Sequence, residues 1–127
     1  MSVTLTFVTP PPGFAPLTDF SLEEIEGADG LYSLRATEAP GTRMFVVDAG
    51  VHLTDYQPVI STEQCTSLDL TVPEDAFVLV VVNPGEAGTT ANLMAPIVVN
   101  ATTGVCAQVI LDGQDWPLQA ALGARAA

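Results

Sequence analysis

The part of the sequence that most restricts the fold runs from Asn92 to Leu111. An apolar run at residues 95–99 is followed by a turn-rich stretch at residues 100–104 and by a second β-rich run at residues 105–111. Gly104 can adopt the positive φ angle that a short loop between two strands usually requires. The pattern therefore predicts an antiparallel β-hairpin.

Short strand-like segments separated by turn residues fill most of the remaining chain. Residues 3–8 alternate apolar and polar side chains, residues 30–37 and 42–48 form a pair around a Pro-Gly turn, and residues 77–83 form a further apolar strand ahead of a loop at residues 84–88. Ser61 and Gln64 fit a capping box ahead of a short helix that ends near Leu70. Six or seven strands and one clear helix predict a mainly β fold, an antiparallel β-barrel-like domain or closed sandwich.

The strand pattern also limits what covers the sheet. Residues 77–82 are apolar at every position, so both faces of that strand must be buried, or one of them must meet a partner. Residues 1–116 are predicted to form one domain. Residues 117–127 are rich in alanine and lack strand formers, so we expect a frayed helix or a disordered tail there.

The charge balance restricts the partners. The chain has 15 acidic side chains, no lysine, and only the basic residues Arg35, Arg43 and Arg125, for a net charge of −12. Such a charge repels phosphate backbones and anionic membranes, so we expect no direct contact with nucleic acid or membrane. The acidity is either a solubility feature, or a bias of the whole proteome, or an attraction to a basic partner, and charge alone leaves these open.

The sequence contains few residues suited to catalysis. His52 is the only histidine, no Gly-x-Ser-x-Gly motif is present, and no lysine is available for a Schiff base. The acidic residues from Asp112 to Asp115 are expected to form a surface turn. Cys65 and Cys106 are far apart in sequence, have no basic neighbour to stabilise a thiolate, and are expected to be buried, unreactive thiols. We therefore expect no enzyme activity, no metal and no cofactor. Because the N-terminus does not resemble a secretory signal, we expect a cytoplasmic location.

Several sequence elements resemble, in the same order, those of the FliW family of bacterial flagellar assembly factors. They are Asn92-Leu93 with residues 95–100 and 108–111, Pro12-Gly13-Phe14 followed by Leu17, Phe20 and Leu22, residues 43–48, Asp55-Tyr56-Gln57-Pro58, and Glu74-Asp75 ahead of residues 77–82. Each element is weak alone, but their common order makes the match specific over roughly residues 7 to 115. The resemblance also favours a strand over a helix start at residues 20–25.

The resemblance implies a non-enzymatic regulator with two protein partners. In this family the free protein binds the RNA-binding translational regulator CsrA and relieves its repression of flagellin translation. Flagellin that has not been exported then captures the family member and releases CsrA. The alternative is a small-molecule carrier in which a closed β-barrel holds a ligand. A large sealed apolar cavity would support the carrier, whereas a filled interior with exposed apolar surface would support the regulator.

Candidate contact residues come from the matching motifs. Four carboxylates are predicted to meet the basic surface of CsrA, although turn capping would also explain them: Asp48, Asp55, Glu74 and Asp75. Exposed β-surface near Tyr56 and Leu93 is predicted to form part of the site that receives the amphipathic terminal segments of flagellin.

Three further polar residues stand in apolar surroundings within the family motif. Asn92, Asn100 and Gln108 are predicted to complete backbone hydrogen bonds at strand ends, with ligand contact as the alternative.

Overall fold

The structure of the protein, a computed structural model, describes residues 2–8, 16–25, 27, 30–39, 41–49, 56, 60–70, 76–85, 88–111 and 120–121. These residues form strands and a short helix. In chain order the elements are β1 (Ser2–Phe7), β2 (Asp19–Glu24), β3 (Leu31–Ala36), β4 (Arg43–Asp48), α1 (Thr62–Ser67), β5 (Ala76–Gly85), β6 (Gly88–Ala91), β7 (Ile97–Asn100), β8 (Val105–Gln108) and β9 (Ala120–Ala121).

Seven of the strands close into a barrel. Their order around the ring is β1-β2-β3-β4-β5-β7-β8, and β8 returns to β1. The β1–β8 pair is parallel and the other pairs of the ring are antiparallel. Strand directions can alternate all the way around a ring only when the number of strands is even, so a seven-stranded ring must contain a parallel pair. The predicted barrel-like fold is confirmed, with this one parallel junction added.

The barrel interior is filled by one face of every strand of the ring. Alternate side chains point inward because successive residues of a strand face opposite sides of the sheet. The rings of Phe7 and Phe20 meet edge to face with centroids 5.2 Å apart. The buried inward side chains are Leu5, Phe7, Phe20, Leu22, Leu34, Ala36, Met44, Val46, Leu79, Ile97, Val99 and Cys106.

Apart from Arg43 of β4, the outer faces of β4, β5, β7 and β8 are covered by apolar side chains, and we call them the covered half. Val80 and Val82 of β5 pack with Leu93, and Val98 of β7 packs with Leu68 beyond the end of α1. Of the two alternatives predicted for residues 77–82, an outer cover or an apolar face that meets a partner, the structure shows the outer cover. The ring side chain of Tyr56 packs against both of these outer clusters.

The opposite side of the barrel remains polar, and we call it the open half. It consists of the outer residues of β1 and β2 together with Arg35 of β3 and Arg43 of β4. Thr4 and Thr6 of β1 are exposed, whereas their inward neighbours Leu5 and Phe7 are buried. The alternation along β1 therefore reflects a strand that is buried on one face only.

The predicted hairpin is present as β7 and β8, and Gly104 in its turn has φ +83°. Gly104 also lies where β8 meets β1. Its carbonyl accepts a hydrogen bond from the Thr6 N–H (3.0 Å), and a Cβ atom on it would come within 2.8 Å of the Thr4 carbonyl oxygen. Glycine is therefore needed here both for the backbone angle and for the close approach of β1.

The predicted helix begins as expected and ends earlier. Ser61 and Gln64 form the capping box, but α1 ends at Ser67, with Leu68 as its C-cap and Asp69 at φ +57°. β2 is a strand, as the family pattern indicated. Two strands, β6 and β9, and the last two residues of β5 were not predicted. Residues 84 and 85 extend β5, which pairs with β6, and β6 in turn pairs with β9. Ala120–Ala121 are thus in a strand, and the other residues of the predicted tail lie outside the described residues.

Both cysteines are buried free thiols, as predicted. Burial raises the pKa of the Cys106 thiol from its ordinary 9.0 to about 12. Among the described residues, no helix is long and apolar enough to cross a membrane.

Candidate functional site

Two carboxylates and a tyrosine meet at one end of the barrel, which we call the acidic end. β2 ends at Glu24, which pairs in register with Tyr32 at the start of β3. β4 ends at Asp48, whose N–H donates to the carbonyl of Gly30 just before β3 (2.8 Å). The ends of these three antiparallel strands therefore bring Glu24, Tyr32 and Asp48 to the same rim.

The environment of Tyr32 shows the electrostatics of this end. Burial raises the pKa of its hydroxyl, and the carboxylates of Asp48 and Glu24 raise it further. A phenolate here would be desolvated and would face two negative charges, so the neutral phenol is favoured. The ring is held in place by Phe77 of β5, edge to face with centroids 6.4 Å apart. The acidic end is thus a rim with a negative potential.

The structure places only part of the predicted carboxylate set. Asp48 is half-buried at the acidic end. Asp55, Glu74 and Asp75 lie outside the described residues, so their convergence with Asp48 stays a prediction. Glu24 and Tyr32 were missed, because the register of β2 against β3, which brings them together, cannot be deduced from residue spacing.

Tyr56 and Leu93 do come together, but not as an exposed surface. The Tyr56 hydroxyl donates a hydrogen bond to the Leu93 carbonyl (2.5 Å), and the Leu93 side chain is only 8% exposed. The prediction of an exposed surface is therefore wrong for Leu93, because the outer face of β5 needs its side chain as cover. Burial also raises the pKa of the Tyr56 hydroxyl above its ordinary value.

The three amides of the family motif all bond to the backbone. Asn100 is buried, and its Nδ2 donates to the carbonyls of Leu68 (2.9 Å) and Asp69 (3.3 Å), while its Oδ1 accepts from the N–H groups of Thr102 and Thr103. Asn100 thereby joins the chain after α1 to the β7–β8 turn.

The other two amides stabilise the segment between β6 and β7. Asn92 Oδ1 accepts from the Met94 N–H (3.1 Å), and Gln108 Nε2 donates to the Ala95 carbonyl (3.0 Å). Within the described part of the chain, no three potential metal ligands lie together.

Comparisons with known proteins agree with this architecture. The family model described as FliW protein matches residues 2–122. The flagellar assembly factor FliW of Clostridioides difficile (strain 630) is 28% identical over 108 residues, which cover 84% of this chain and 83% of that protein. The flagellar assembly factor FliW of Thermotoga sp. (strain RQ2) is 31% identical over 117 residues, 90% of this chain and 78% of that protein.

A solved structure supports the fold independently. The crystal structure of the flagellar assembly factor FliW superposes with a TM-score of 0.86 over 94% of this chain and 84% of that one, at 24% sequence identity. At this level of identity the likeness concerns the fold.

Proposed function

Because the chain belongs to the FliW family of flagellar assembly factors, we propose that it is a cytoplasmic, non-enzymatic regulator that binds CsrA and flagellin in turn. The free protein binds CsrA and relieves repression of flagellin translation. Unexported flagellin then captures the protein, and CsrA is released. Neither nucleic acid nor membrane is a direct partner, because a net charge of −12 repels both.

The observation that carries the CsrA contact is the acidic end. An RNA-binding regulator presents basic surface, and the carboxylates of Glu24 and Asp48 provide a complementary negative rim. One pair of unit charges about 10 Å apart interacts by only roughly 0.4 kcal/mol in bulk water. The contact therefore depends on several carboxylates acting together at short range, which is what strand ends meeting at one rim allow.

A pair of variants with equal net charge tests this contact. The first, Glu24→Gln with Asp48→Asn, neutralises the acidic end. The control, Asp19→Asn with Glu63→Gln, neutralises two exposed carboxylates, one at the start of β2 and one on α1. We expect the first variant to bind CsrA about tenfold more weakly at low salt, which is roughly 1.4 kcal/mol for two charges, and the control to change much less.

Calorimetry across a salt series supplies the decisive readings. Affinity of the unmodified protein for CsrA should fall as salt rises, because salt screens exposed charges. A variant that neutralises Asp48, Asp55, Glu74 and Asp75 together extends the test to the carboxylates outside the described residues. Equal losses for the first variant and its control would mean that only net charge matters, and the acidic end would then not be the contact.

The flagellin contact is proposed for the other end of the barrel. β1 and β8 run parallel, so the residues that follow them, Val8 and Ile110, lie at the end opposite the acidic end. Their side chains are 48% and 50% exposed, and exposed apolar side chains at one end of the barrel suit contact with an amphipathic helix. This replaces Leu93, which the structure buries.

The apolar contact also has a matched control. Val8→Ser with Ile110→Ser should weaken flagellin binding, whereas Val3→Ser, at a similarly exposed valine (52%) at the start of β1, should not. Flagellin binding should respond weakly to salt, because apolar burial is not screened. Full affinity of flagellin lacking both terminal segments would contradict this assignment.

The small-molecule carrier is not favoured by the barrel interior. The inward side chains of all seven strands of the ring pack into one cluster, including the contacting rings of Phe7 and Phe20. A carrier of this strand number would need to leave its interior open for the ligand.

A further inference from the structure

Two of the chain's three arginines lie side by side on the open half. Arg35 of β3 and Arg43 of β4 are directly paired in register, and both point outward because their neighbours Leu34 and Met44 point into the barrel. Like charges directly opposite on neighbouring strands destabilise a sheet. In a chain with no lysine and a net charge of −12, this concentration of positive charge calls for a reason.

The described residues leave part of this pair without an acceptor. The Nε of Arg35 is buried and has no hydrogen-bond acceptor among the described residues. The guanidinium carbon of Arg43 lies 5.1 Å from the centre of the Phe45 ring, so this side chain is held against the sheet by a cation–π contact. Arg43 is thus positioned by a ring, which leaves its hydrogen-bond donors for another group.

The arginines continue a row of donors across four strands. Register pairs Thr4 of β1 with Ser21 of β2, Ser21 with Arg35, and Arg35 with Arg43, so all four side chains share the outer face. With strands about 4.8 Å apart, the row is about 14 Å long. We call it the arginine row: two hydroxyls and two guanidiniums, with the carboxylates of Asp19 and Glu23 on the same face of β2 to either side of Ser21.

We infer that the arginine row is a docking site for a short acidic segment of a partner protein, whose Asp or Glu carboxylates bond to the two guanidiniums. Planar guanidinium groups bind carboxylates through paired N–H···O bonds. Such a segment would offset the repulsion within the pair and offer acceptors to the guanidinium N–H groups. The inference rests on strand register and does not depend on the proposed function.

The overall negative charge selects against larger anions. Arg43 and Asp48 stand at opposite ends of β4, five residues apart, which is about 17 Å at roughly 3.4 Å per residue. This is about twice the Debye length at physiological ionic strength, so a short acidic peptide at the row is largely screened from the acidic end. A nucleic acid strand, by contrast, would extend its phosphates over the acidic surface and be repelled.

The test uses the full chain and a defined peptide. The probe is an acetylated Glu-Thr-Glu-Thr-Glu peptide, with the corresponding Gln-Thr-Gln-Thr-Gln peptide as the neutral control. Titration is followed by NMR through the arginine Nε–H signals. We expect the acidic peptide to shift the signals of Arg35 and Arg43, and the neutral peptide to leave them unchanged.

Variants of equal net charge separate the row from general attraction. Arg35→Gln or Arg43→Gln should weaken binding of the acidic peptide about tenfold, while Arg125→Gln, which removes the same charge from an arginine that is not one of the four residues of the row, should leave the affinity for the peptide unchanged. Arg43→Lys keeps the charge without the planar guanidinium group. Its affinity for the acidic peptide should lie between those of the unmodified protein and Arg43→Gln. Equal weakening in all the glutamine variants, or no binding of the peptide, would overturn the inference.

Two further readings complete the test. If a single-stranded oligonucleotide bound more tightly than the peptide through the same arginines, the partner would be a nucleic acid and the inference would be wrong. Thermal melting separates a docking role from a structural one. Arg35→Gln should keep or raise the melting temperature, because it removes a like-charge contact, whereas a large decrease would show that the pair stabilises the fold.

Discussion

The covered half and the open half of the barrel are made of the same kind of strand but differ in what lies over them. On the covered half, Val80 and Val98 are fully buried beneath Leu93 and Leu68. On the open half, Thr4 and Thr6 face solvent at the corresponding outward positions. The first half is therefore a second core, and the second half is the surface on which binding chemistry is available.

The difference shows how one barrel separates stability from recognition. The covered half fixes β5, β7 and β8 between two apolar layers, so substitutions there should act on folding. The open half carries the arginine row, and substitutions there should act on binding with little change in folding. Four measurements of stability test this division, beginning with the largest effect.

Leu68→Ala should cause the largest loss. Leu68 has no exposed surface and packs with Val98 over the outside of β7, so its truncation leaves a cavity between α1 and the sheet. We expect the free energy of unfolding to fall by about 2–5 kcal/mol. Urea denaturation measures it. A loss below about 1 kcal/mol, the usual effect of a point mutation, would mean that the covering layer is not a core.

Asn100→Ala should have the next largest effect. Its side chain is buried and bonds to four backbone groups, which tie the end of α1 to the β7–β8 turn. Alanine would leave buried backbone groups without partners, at a cost of about 1–3 kcal/mol. Asn92→Ala is the control, since within the described residues the Asn92 side chain accepts one backbone hydrogen bond. If the two variants lost equal stability, the tie would not be specific to Asn100.

The stability of the protein at alkaline pH tests whether the buried thiol of Cys106, on β8, stays closed to solvent. Burial raises the pKa of Cys106 from 9.0 to about 12, so between these values the unfolded thiol ionises while the folded one stays protonated. Stability from this group is fully present below pH 9 and decreases as pH rises toward 12. At pH 10 the loss should be about 1.4 kcal/mol.

Other groups also titrate in this range, so the measurement is a difference. Tyr56, whose pKa burial also raises, contributes at higher pH. The free energy of unfolding is therefore compared between pH 8 and pH 10 for the unmodified protein and for Cys106→Ala. The free energy of unfolding should fall more steeply with pH for the unmodified protein than for Cys106→Ala. Parallel curves would show that the β8 thiol is open to solvent.

The elements that could be predicted from the sequence are those that depend on residues close together in the chain. Periodicity and turn residues predicted the β7–β8 hairpin, the β3–β4 pair and the start of α1, because these depend on neighbours in sequence. β6 was missed because Gly88–Ala91 carries no alternating apolar pattern and is a strand only through its pairing with β5. The parallel closure of β1 on β8 likewise depends on residues about 100 positions apart.

The candidate site was harder to predict than the fold. Asp48 was identified through a family motif, whereas Glu24 and Tyr32 became part of the acidic end only through the register between β2 and β3. Leu93 was wrongly placed on an exposed surface because a motif residue next to a loop resembles a contact residue until its burial is known. Both errors concern which parts of the chain meet, and that depends on tertiary packing.

The smallest expected effect comes from Thr4→Val, which makes the open half more like the covered half. Thr and Val have nearly the same shape, so the exchange changes polarity while keeping the β-branched form that strands favour. Thr4 is exposed, and we expect a change in stability within about 0.5 kcal/mol. The reverse exchange at Val98, which has no exposed surface, buries a hydroxyl and should destabilise the protein by roughly 1–3 kcal/mol. Paired urea denaturation of Thr4→Val and Val98→Thr therefore applies one chemical change to both halves. Comparable losses at the two sites would mean that the open half is covered too, and the arginine row would then be inaccessible to a partner.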